Sequence, residues 1–296
     1  NLKDIVAISA ATGVNSNLDK DDEKLDLLND NTSGGHTLAL DKNGNVWAWG
    51  LNNKGQIGTN TDVKFEQIQF GFTTNGYTNA EGVVEGDSEW HKEYDAETCY
   101  TYIPSQENLY ITEPTKVVGL EGIGYLNSIS EISAGGNSSI AVRNDGYAYA
   151  WGNNDNGQLG INASGLRNQP VKVITNNSNP LENITDISLG ANHVLALAFD
   201  NSLYAWGAND RRQLASSTKD IVPVPEKITI SGKIKTIAAG GQHSAIMTTL
   251  DGSEDTAVWT WGDNEYGQLG IKDANNDISR NATPTRVNKG ITVDST

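Results

Sequence analysis

Three histidines recur at one position of a repeated sequence pattern, where imidazoles could bind a transition metal. His36 and His193 lie thirteen residues before a Trp-Gly dipeptide, and His243 takes the same place in a copy lengthened by five residues. Equivalent positions of separate repeats lie about one repeat apart, so these side chains do not converge on one ion. We therefore expect strand-end histidines that bond to local backbone, with no metal and no cofactor.

Motifs for other chemistry are incomplete. The GQLG-type segments lack a GxGxxG that opens a helix and a following Gly-Lys-Ser/Thr, so they are interpreted as turns and not as phosphate loops. The segment 153–157 resembles a calcium loop but has no distal bidentate glutamate. A nucleophile elbow with serine, histidine and carboxylate is also absent from the sequence. These observations predict a protein that is not an enzyme.

The elements that carry these residues form an internal repeat. Trp-Gly recurs at Trp49, Trp151, Trp206 and Trp261, with intervals of 102, 55 and 55 residues. Each unit reads as an IxxI strand, a second strand, a polar hairpin turn, an aromatic strand, a GQLG-type loop and a Pro-containing strand. Four short strands in about 50 residues are typical of a propeller blade. The sequence predicts an all-β fold: a β-propeller of four-stranded antiparallel blades, with four units at about 1–118, 119–174, 175–230 and 231–290.

The third strand of each unit supports stacking of these sheets. Bulky aromatic residues alternate with mostly small residues, as in Tyr149 and Trp151 against Ala148 and Ala150. A sheet with a bulky face and a small face can pack against a neighbour of the same kind. We therefore expect Trp151 and Trp206 to be buried between adjacent blades.

The repeated string GGHTLALDKNGNVWAWGLNNKGQIG, with its copies, resembles the repeat of the regulator-of-chromosome-condensation family of β-propellers. The resemblance covers the chain apart from two insertions. It implies a propeller, usually of seven blades, in a family of nucleotide-exchange factors, chromatin binders, ubiquitin-ligase modules and secreted bacterial protein inhibitors. Four units leave open a fragment of a larger propeller, a small closed ring and completion by other copies as a homo-oligomer. We expect a fragment.

Charge and composition narrow the partners. The formal net charge is −16, which disfavours nucleic acid and anionic membranes as main partners. One cysteine, Cys99, cannot form an internal disulfide, and no apolar run reaches the roughly 20 residues that a membrane-spanning helix needs. The chain begins at Asn1 with no hydrophobic leader, so we expect a processed mature chain or an excised fragment.

Two acidic insertions interrupt the first unit, at 11–32 and 66–112. The first has a local charge of −4 and leucines at roughly helical spacing, and the second carries −6 between residues 81 and 97. Trp90 lies outside the repeat register and is either a contact aromatic or part of the insertion's own core. The candidate partner-binding residues of the insertions are Asp21, Asp22, Glu23, Glu89, Trp90, Glu93 and Asp95.

Arg211 and Arg212 complete the candidate site. They replace the NGQLG-type turn in the third unit, where Arg212 and Ala215 stand at positions that are glycine in the other three. If this turn needs a positive φ, Arg212 is strained there. The arginine then either reflects sequence drift, or it is retained because Arg211 and Arg212 pair with acids of a neighbouring loop or of a partner.

The function predicted from the sequence is a non-enzymatic protein-protein interaction scaffold, extracellular or at the cell surface of a bacterium, that displays acidic loops to a protein partner such as a basic one. Two alternatives remain open. One is a glycan-binding or glycan-cleaving protein that uses the 66–112 insertion, and the other is a structural subunit of a surface assembly.

Overall fold

A computed structural model describes residues 2–11, 35–61, 65–73, 76–78, 84–85, 99–104, 109–215, 218–249, 255–271 and 280–287. Between residues 65 and 104 it describes backbone only. The described chain is all-β apart from a short 3₁₀ turn at Leu120–Gly122.

Four antiparallel four-stranded sheets form the blades, and in each the strands lie side by side in chain order. The first blade contains β1 (Ile5–Ala11), β2 (His36–Asp41), β3 (Val46–Leu51) and β8 (Tyr110–Lys116). The second contains β9 (Ile129–Gly135), β10 (Ser138–Arg143), β11 (Ala148–Gly152) and β12 (Arg167–Lys172). The third contains β13 (Ile184–Leu189), β14 (His193–Ala198), β15 (Leu203–Ala208) and β16 (Ile221–Ile228). The fourth contains β17 (Lys233–Ala239), β18 (His243–Thr249), β19 (Thr256–Gly262) and β20 (Asn281–Arg286). The predicted fold class is confirmed.

The blades stack through the alternation seen in the sequence. Trp151 is fully buried and packs with the first blade's Leu38, Val46 and Ala48. Trp206 is fully buried in the equivalent cluster between the second and third blades. The aromatic face of each blade thus fills against the small face of the blade before it, which confirms the expected burial of both tryptophans.

The first strands of successive blades contact one another, β1 with β9, β9 with β13, and β13 with β17. Serine hydroxyls join them: Ser9 Oγ accepts the backbone N–H of Ala134 at 2.9 Å, and Ser133 Oγ accepts that of Leu189 at 3.0 Å. Among the described residues, no strand pair with extensive contact joins the first blade to the fourth. In the part of the chain that the structure describes, the blades therefore contact one another in chain order, first to second, second to third and third to fourth.

The second insertion builds a small sheet of its own. Its strands are β4 (Phe65–Thr73), β5 (Gly76–Thr78), β6 (Val84–Glu85) and β7 (Cys99–Pro104), in the order β6-β5-β4-β7. The blade resumes with β8 at Tyr110, two residues before the expected end of the insertion at 112. The expected short helix in the first insertion lies outside the described residues.

Candidate interaction surface

Both insertions emerge from one end of the first blade, which we call the Trp-Gly end because each third strand ends there. Four backbone positions form a row across the sheet at this end: Ala11 pairs with His36, His36 with Gly50, and Gly50 with Ile111. The first insertion connects the first two positions, and the second connects the last two. Two segments that are far apart in sequence are thus anchored on adjacent strands at the same end of one sheet.

The seven candidate residues inside the insertions, Asp21, Asp22, Glu23, Glu89, Trp90, Glu93 and Asp95, lie outside the residues whose side chains the structure describes. Arg211 and Arg212 are described, and they lie in the turn that follows β15, at the Trp-Gly end of the third blade. The structure therefore locates the anchoring points of the predicted surface and two of its nine residues.

The Trp-Gly end is built from the same rigid turn in every blade. In each turn an asparagine side chain accepts the backbone N–H five residues later, as Asn154 Oδ1 does from Leu159 at 3.0 Å. A glutamine side chain then accepts the N–H two residues before it, as Gln158 Oε1 does from Asn156 at 2.9 Å. Gly157, inside this turn, has φ 73°, a left-handed conformation that glycine adopts without steric cost. The calcium-like segment 153–157 is therefore a turn that bonds to itself.

Arg212 occupies the same left-handed position as Gly157 with φ 65°, and Ala215 follows with φ 56°. The positive φ predicted for Arg212 is confirmed. Its guanidinium donates to the Thr218 carbonyl at 3.1 Å and to Asp220 Oδ1 at 3.3 Å. The side chain of Arg212 thus makes its hydrogen bonds within its own loop.

Arg211 connects two blades. Its Nη1 hydrogen-bonds to the Glu265 carboxylate and lies 3.7 Å from Asp263 Oδ1, and both acids belong to the fourth blade's turn. Hydrogen bonding to Glu265 raises the pKa of the Arg211 guanidinium above its usual range. Asp263 is buried, so removal of the Arg211 cation would leave the charge of a buried carboxylate without compensation, which costs more free energy than breaking a pair in open solvent. Of the two expectations for Arg211, the structure shows the pairing with acids of a neighbouring loop.

The histidines make contacts that the sequence interpretation missed. His36 Nε2 lies 2.8 Å from Ser139 Oγ of the second blade, and His193 Nε2 lies 2.9 Å from Ser244 Oγ of the fourth. The predicted bonding of these imidazoles to local backbone is therefore wrong, because their Nε2 partners lie one blade away. The sequence contained a signal for this contact. Ser139 and Ser244 stand one position after the histidine position of the repeat, and in each case the preceding copy has a histidine at that position.

The proton arrangement of these pairs follows from their surroundings. Ser139 Oγ donates its single proton to the Gln56 carbonyl at 2.9 Å, so it must accept the His36 Nε2–H. Burial lowers the pKa of His36 to about 4 and that of His193 to about 3. Both rings are neutral near pH 7, and their buried Nδ1 atoms make no hydrogen bond in the described chain. They serve as uncharged donors that fix one blade against the next.

Within the described ranges, no three His, Cys, Asp or Glu side chains lie together as a metal ligand set would. The same part of the chain contains no helix with the length and apolarity that a membrane span requires.

A family model described as the RCC1-like domain matches residues 13–295. The guanine nucleotide exchange factor SRM1 of Saccharomyces cerevisiae is 28% identical over 284 residues, which are 93% of this chain and 52% of that protein. The probable E3 ubiquitin-protein ligase HERC6 of Homo sapiens is 26% identical over 242 residues, 79% of this chain and 18% of that protein. The chain thus spans about half the length of SRM1 and less of HERC6.

A crystal structure of yeast RCC1 (Prp20), determined with Kap60, matches with a TM-score of 0.53 at 21% identity. The match covers 97% of this chain and 64% of that chain. At this level of identity the likeness establishes the propeller fold.

Proposed function

Because the chain belongs to the RCC1-like domain family, whose members include an exchange factor and ubiquitin ligases, we propose that it is a non-enzymatic protein-binding scaffold whose acidic insertions form the partner surface. The observation that carries the proposal is the row of backbone pairs that anchors both insertions at the Trp-Gly end of the first blade. An extracellular or cell-surface location in a bacterium is part of the same proposal.

The anchoring supports binding for an energetic reason. Ordering a free loop on contact costs about 0.5 to 1.5 kcal/mol for each immobilised side chain, in addition to the backbone cost. Loops whose ends are fixed on paired strands have lost part of that freedom before the partner arrives. Residues 11–32 and 81–97, which belong to the two insertions, hold −10 of the net charge of −16, and this concentration of charge increases the encounter rate with a basic protein.

The chain offers a charge-matched test of this surface. The variant D21N/D22N/E23Q removes three charges from the first insertion, and E113Q/E121Q/E182Q, which we call the blade variant, removes three from exposed positions outside both insertions. Association of each with a lysine-rich basic protein is measured by stopped flow at low and moderate salt. We expect the insertion variant to associate more slowly and with a weaker salt dependence than the blade variant.

Deleting both insertions tests the same proposal at the level of the partner. The first gap joins paired neighbours, Ala11 and His36, by a short Gly-containing turn. The second is bridged from Thr61 to Leu109 by a Gly-containing linker, so that the turn with Gln56 and Ile57 is kept. The shortened chain is expected to keep its cooperative unfolding and to lose partner capture from the native source. Unchanged capture, or equal slowing by both charge variants, moves the partner surface to the blades.

A further inference from the structure

The small sheet of the second insertion ends in a strand whose outer edge pairs with no described strand. In the strand order β6-β5-β4-β7, β7 is the last strand and has only β4 beside it. The other neighbour of β4 is β5, which pairs with it along residues 71–73. In an edge strand, alternate residues direct their backbone N–H and C=O groups away from the sheet. Within the described part of the chain, β7 therefore offers a row of backbone donors and acceptors.

The pairing of β7 with β4 is regular. Consecutive residue pairs join the two strands, from Phe65 with Pro104 to Phe70 with Cys99, without a register shift. The only proline of β7 is its last residue, and the strand contains tyrosine, threonine and isoleucine, which favour extended backbone. A regular strand without an internal proline can accept another strand along its edge.

The outermost strand of every blade differs from β7 in both respects. Each has a proline inside the strand: Pro114 in β8, Pro170 in β12, Pro223 and Pro225 in β16, and Pro284 in β20. Each also shows a register shift where it pairs with the third strand of its blade. Prolines and irregular pairing hinder the addition of a further strand to an edge. The blade edges are thus protected in two ways that β7 lacks.

The charge around β7 indicates which segments it can accept. The described strands of the small sheet contain two acidic residues, Glu66 and Glu85, and no lysine or arginine. In the sequence, Asp95 and Glu97 stand four and two residues before Cys99, at the end of the stretch that carries −6. A strand with lysine or arginine residues therefore gains electrostatic attraction in addition to backbone hydrogen bonds, whereas an acidic strand is repelled.

We propose that β7 binds an extended, basic segment of a partner protein, which adds to the small sheet as a further strand. The inference rests on the proposed function, because it places the partner on the second insertion, and it specifies how that partner is recognised. Main-chain hydrogen bonds supply the binding, and the acids near the strand select for positive charge. The segment is therefore defined by its charge and its extended conformation.

Amide hydrogen exchange measured by NMR tests whether the edge is free. In the unbound protein the amides of residues 99–103 should alternate, with slow exchange where the N–H pairs with β4 and fast exchange where it faces the edge. The probe is a short capped peptide of alternating valine and threonine with lysines at both ends. It is N-methylated at every second residue, so that it pairs through one edge only.

Adding this peptide should slow the exchange of the fast amides of β7. Slow exchange at all of these amides in the unbound protein would show that the edge is already covered, by another segment or by a second copy, and would overturn the proposal. Fast amides that the peptide does not slow would also contradict it.

Two control peptides separate strand addition from attraction by charge alone, with binding measured by fluorescence anisotropy. The first has the same side chains but is N-methylated at every residue, so it cannot donate backbone hydrogen bonds. We expect it to bind at least about tenfold more weakly. The second has glutamate in place of lysine and should also bind at least about tenfold more weakly at low salt. Equal binding of the fully methylated peptide would rule out strand addition.

Substitutions in β7 give the matched test on the protein. Thr101 and Tyr102 are adjacent, so the N–H of one faces β4 and that of the other faces the edge, and the exchange measurement identifies which. Proline at the fast-exchanging residue, Thr101→Pro or Tyr102→Pro, removes an edge donor and no bond to β4, whereas alanine at the same residue keeps the N–H. Retained alternation at the remaining amides shows that the sheet is intact. We expect proline to weaken peptide binding at least about tenfold and alanine to change it less than about twofold.

The failure of strand addition can be told apart from the failure of the proposed function. Slower association of D21N/D22N/E23Q with the basic protein, together with equal peptide binding by the proline and alanine variants, would keep the insertions as the partner surface and overturn strand addition alone. Equal slowing by both charge variants would instead contradict the proposed function.

Discussion

Truncating a blade tryptophan measures how much of the stability of the propeller comes from the junctions between adjacent blades. Trp206 is fully buried among Ile140, Leu159 and Val173, and its indole N–H donates to the Gln158 carbonyl at 2.9 Å. Replacing a buried aromatic residue with alanine costs about 3 to 5 kcal/mol through lost transfer free energy and the cavity left behind. At this junction the third blade has Val194 at the position where Ser139 and Ser244 provide a hydroxyl in other blades. Loss of the Trp206 indole would therefore leave the buried Gln158 carbonyl without a side-chain donor. We therefore expect Trp206→Ala to cost about 5 kcal/mol.

Trp49 is the matched control, because it has the same place in its blade and no described blade in front of it. As a half-buried side chain in the single chain it should cost about 1 to 2 kcal/mol when replaced by alanine. Urea denaturation followed by far-ultraviolet circular dichroism gives both free energies of unfolding. Equal costs for Trp206→Ala and Trp49→Ala would refute the stacking of each aromatic face on the preceding blade.

Three further substitutions test the turns and the buried histidine. Gly160→Ala should destabilise the protein by about 2 kcal/mol or more, because its φ is 66° and the new Cβ would lie 2.8 Å from Trp206 Nε1; no loss in urea denaturation would contradict this packing. Arg212→Gly should raise the free energy of unfolding by up to about 1 kcal/mol, because the left-handed strain is relieved and the exposed ion pair with Asp220 that is lost contributes little. A clear loss of stability would show that the loop contacts of Arg212 outweigh the strain. The pKa of His193 is lowered in the folded state from 6.5 to about 3, so the unfolded chain binds more protons between these values and stability falls as the pH drops below 6.5. His193→Gln should flatten that part of the stability profile, and an unchanged profile would assign the loss to other groups.

The blades could be predicted from the sequence because their determinants are local. Period-two alternation in the third strand and the regular spacing of Trp-Gly define strand, face and repeat without knowledge of distant contacts. The positive φ at Arg212 was predictable in the same way, since three of four copies have glycine there.

The histidine contacts were harder to predict because they depend on how far one blade is displaced against the next. A repeat aligned by itself shows His36 and Ser139 one register position apart, and only the stacking geometry brings their side chains to 2.8 Å. Treating each histidine as a strand-end residue within its own blade therefore gave the wrong partner. Comparing adjacent copies in pairs, with His followed by Ser twice and Ser followed by Val once, would have revealed the contact.

The junction between the first and second blades links the stability of the propeller to its proposed function. At each junction the next blade donates a hydrogen bond to a glutamine backbone carbonyl at the Trp-Gly end. The Gln56 carbonyl accepts both the Trp151 indole N–H and the Ser139 hydroxyl. This carbonyl belongs to the turn that directly follows β3 of the first blade, and the second insertion leaves the blade soon after that turn. The second blade thus holds in place the turn that precedes the second insertion. A variant that loosens this junction should therefore weaken partner capture before it unfolds the chain. Ser139→Ala provides this measurement, because it removes the hydroxyl shared by His36 and Gln56 while leaving both insertions intact.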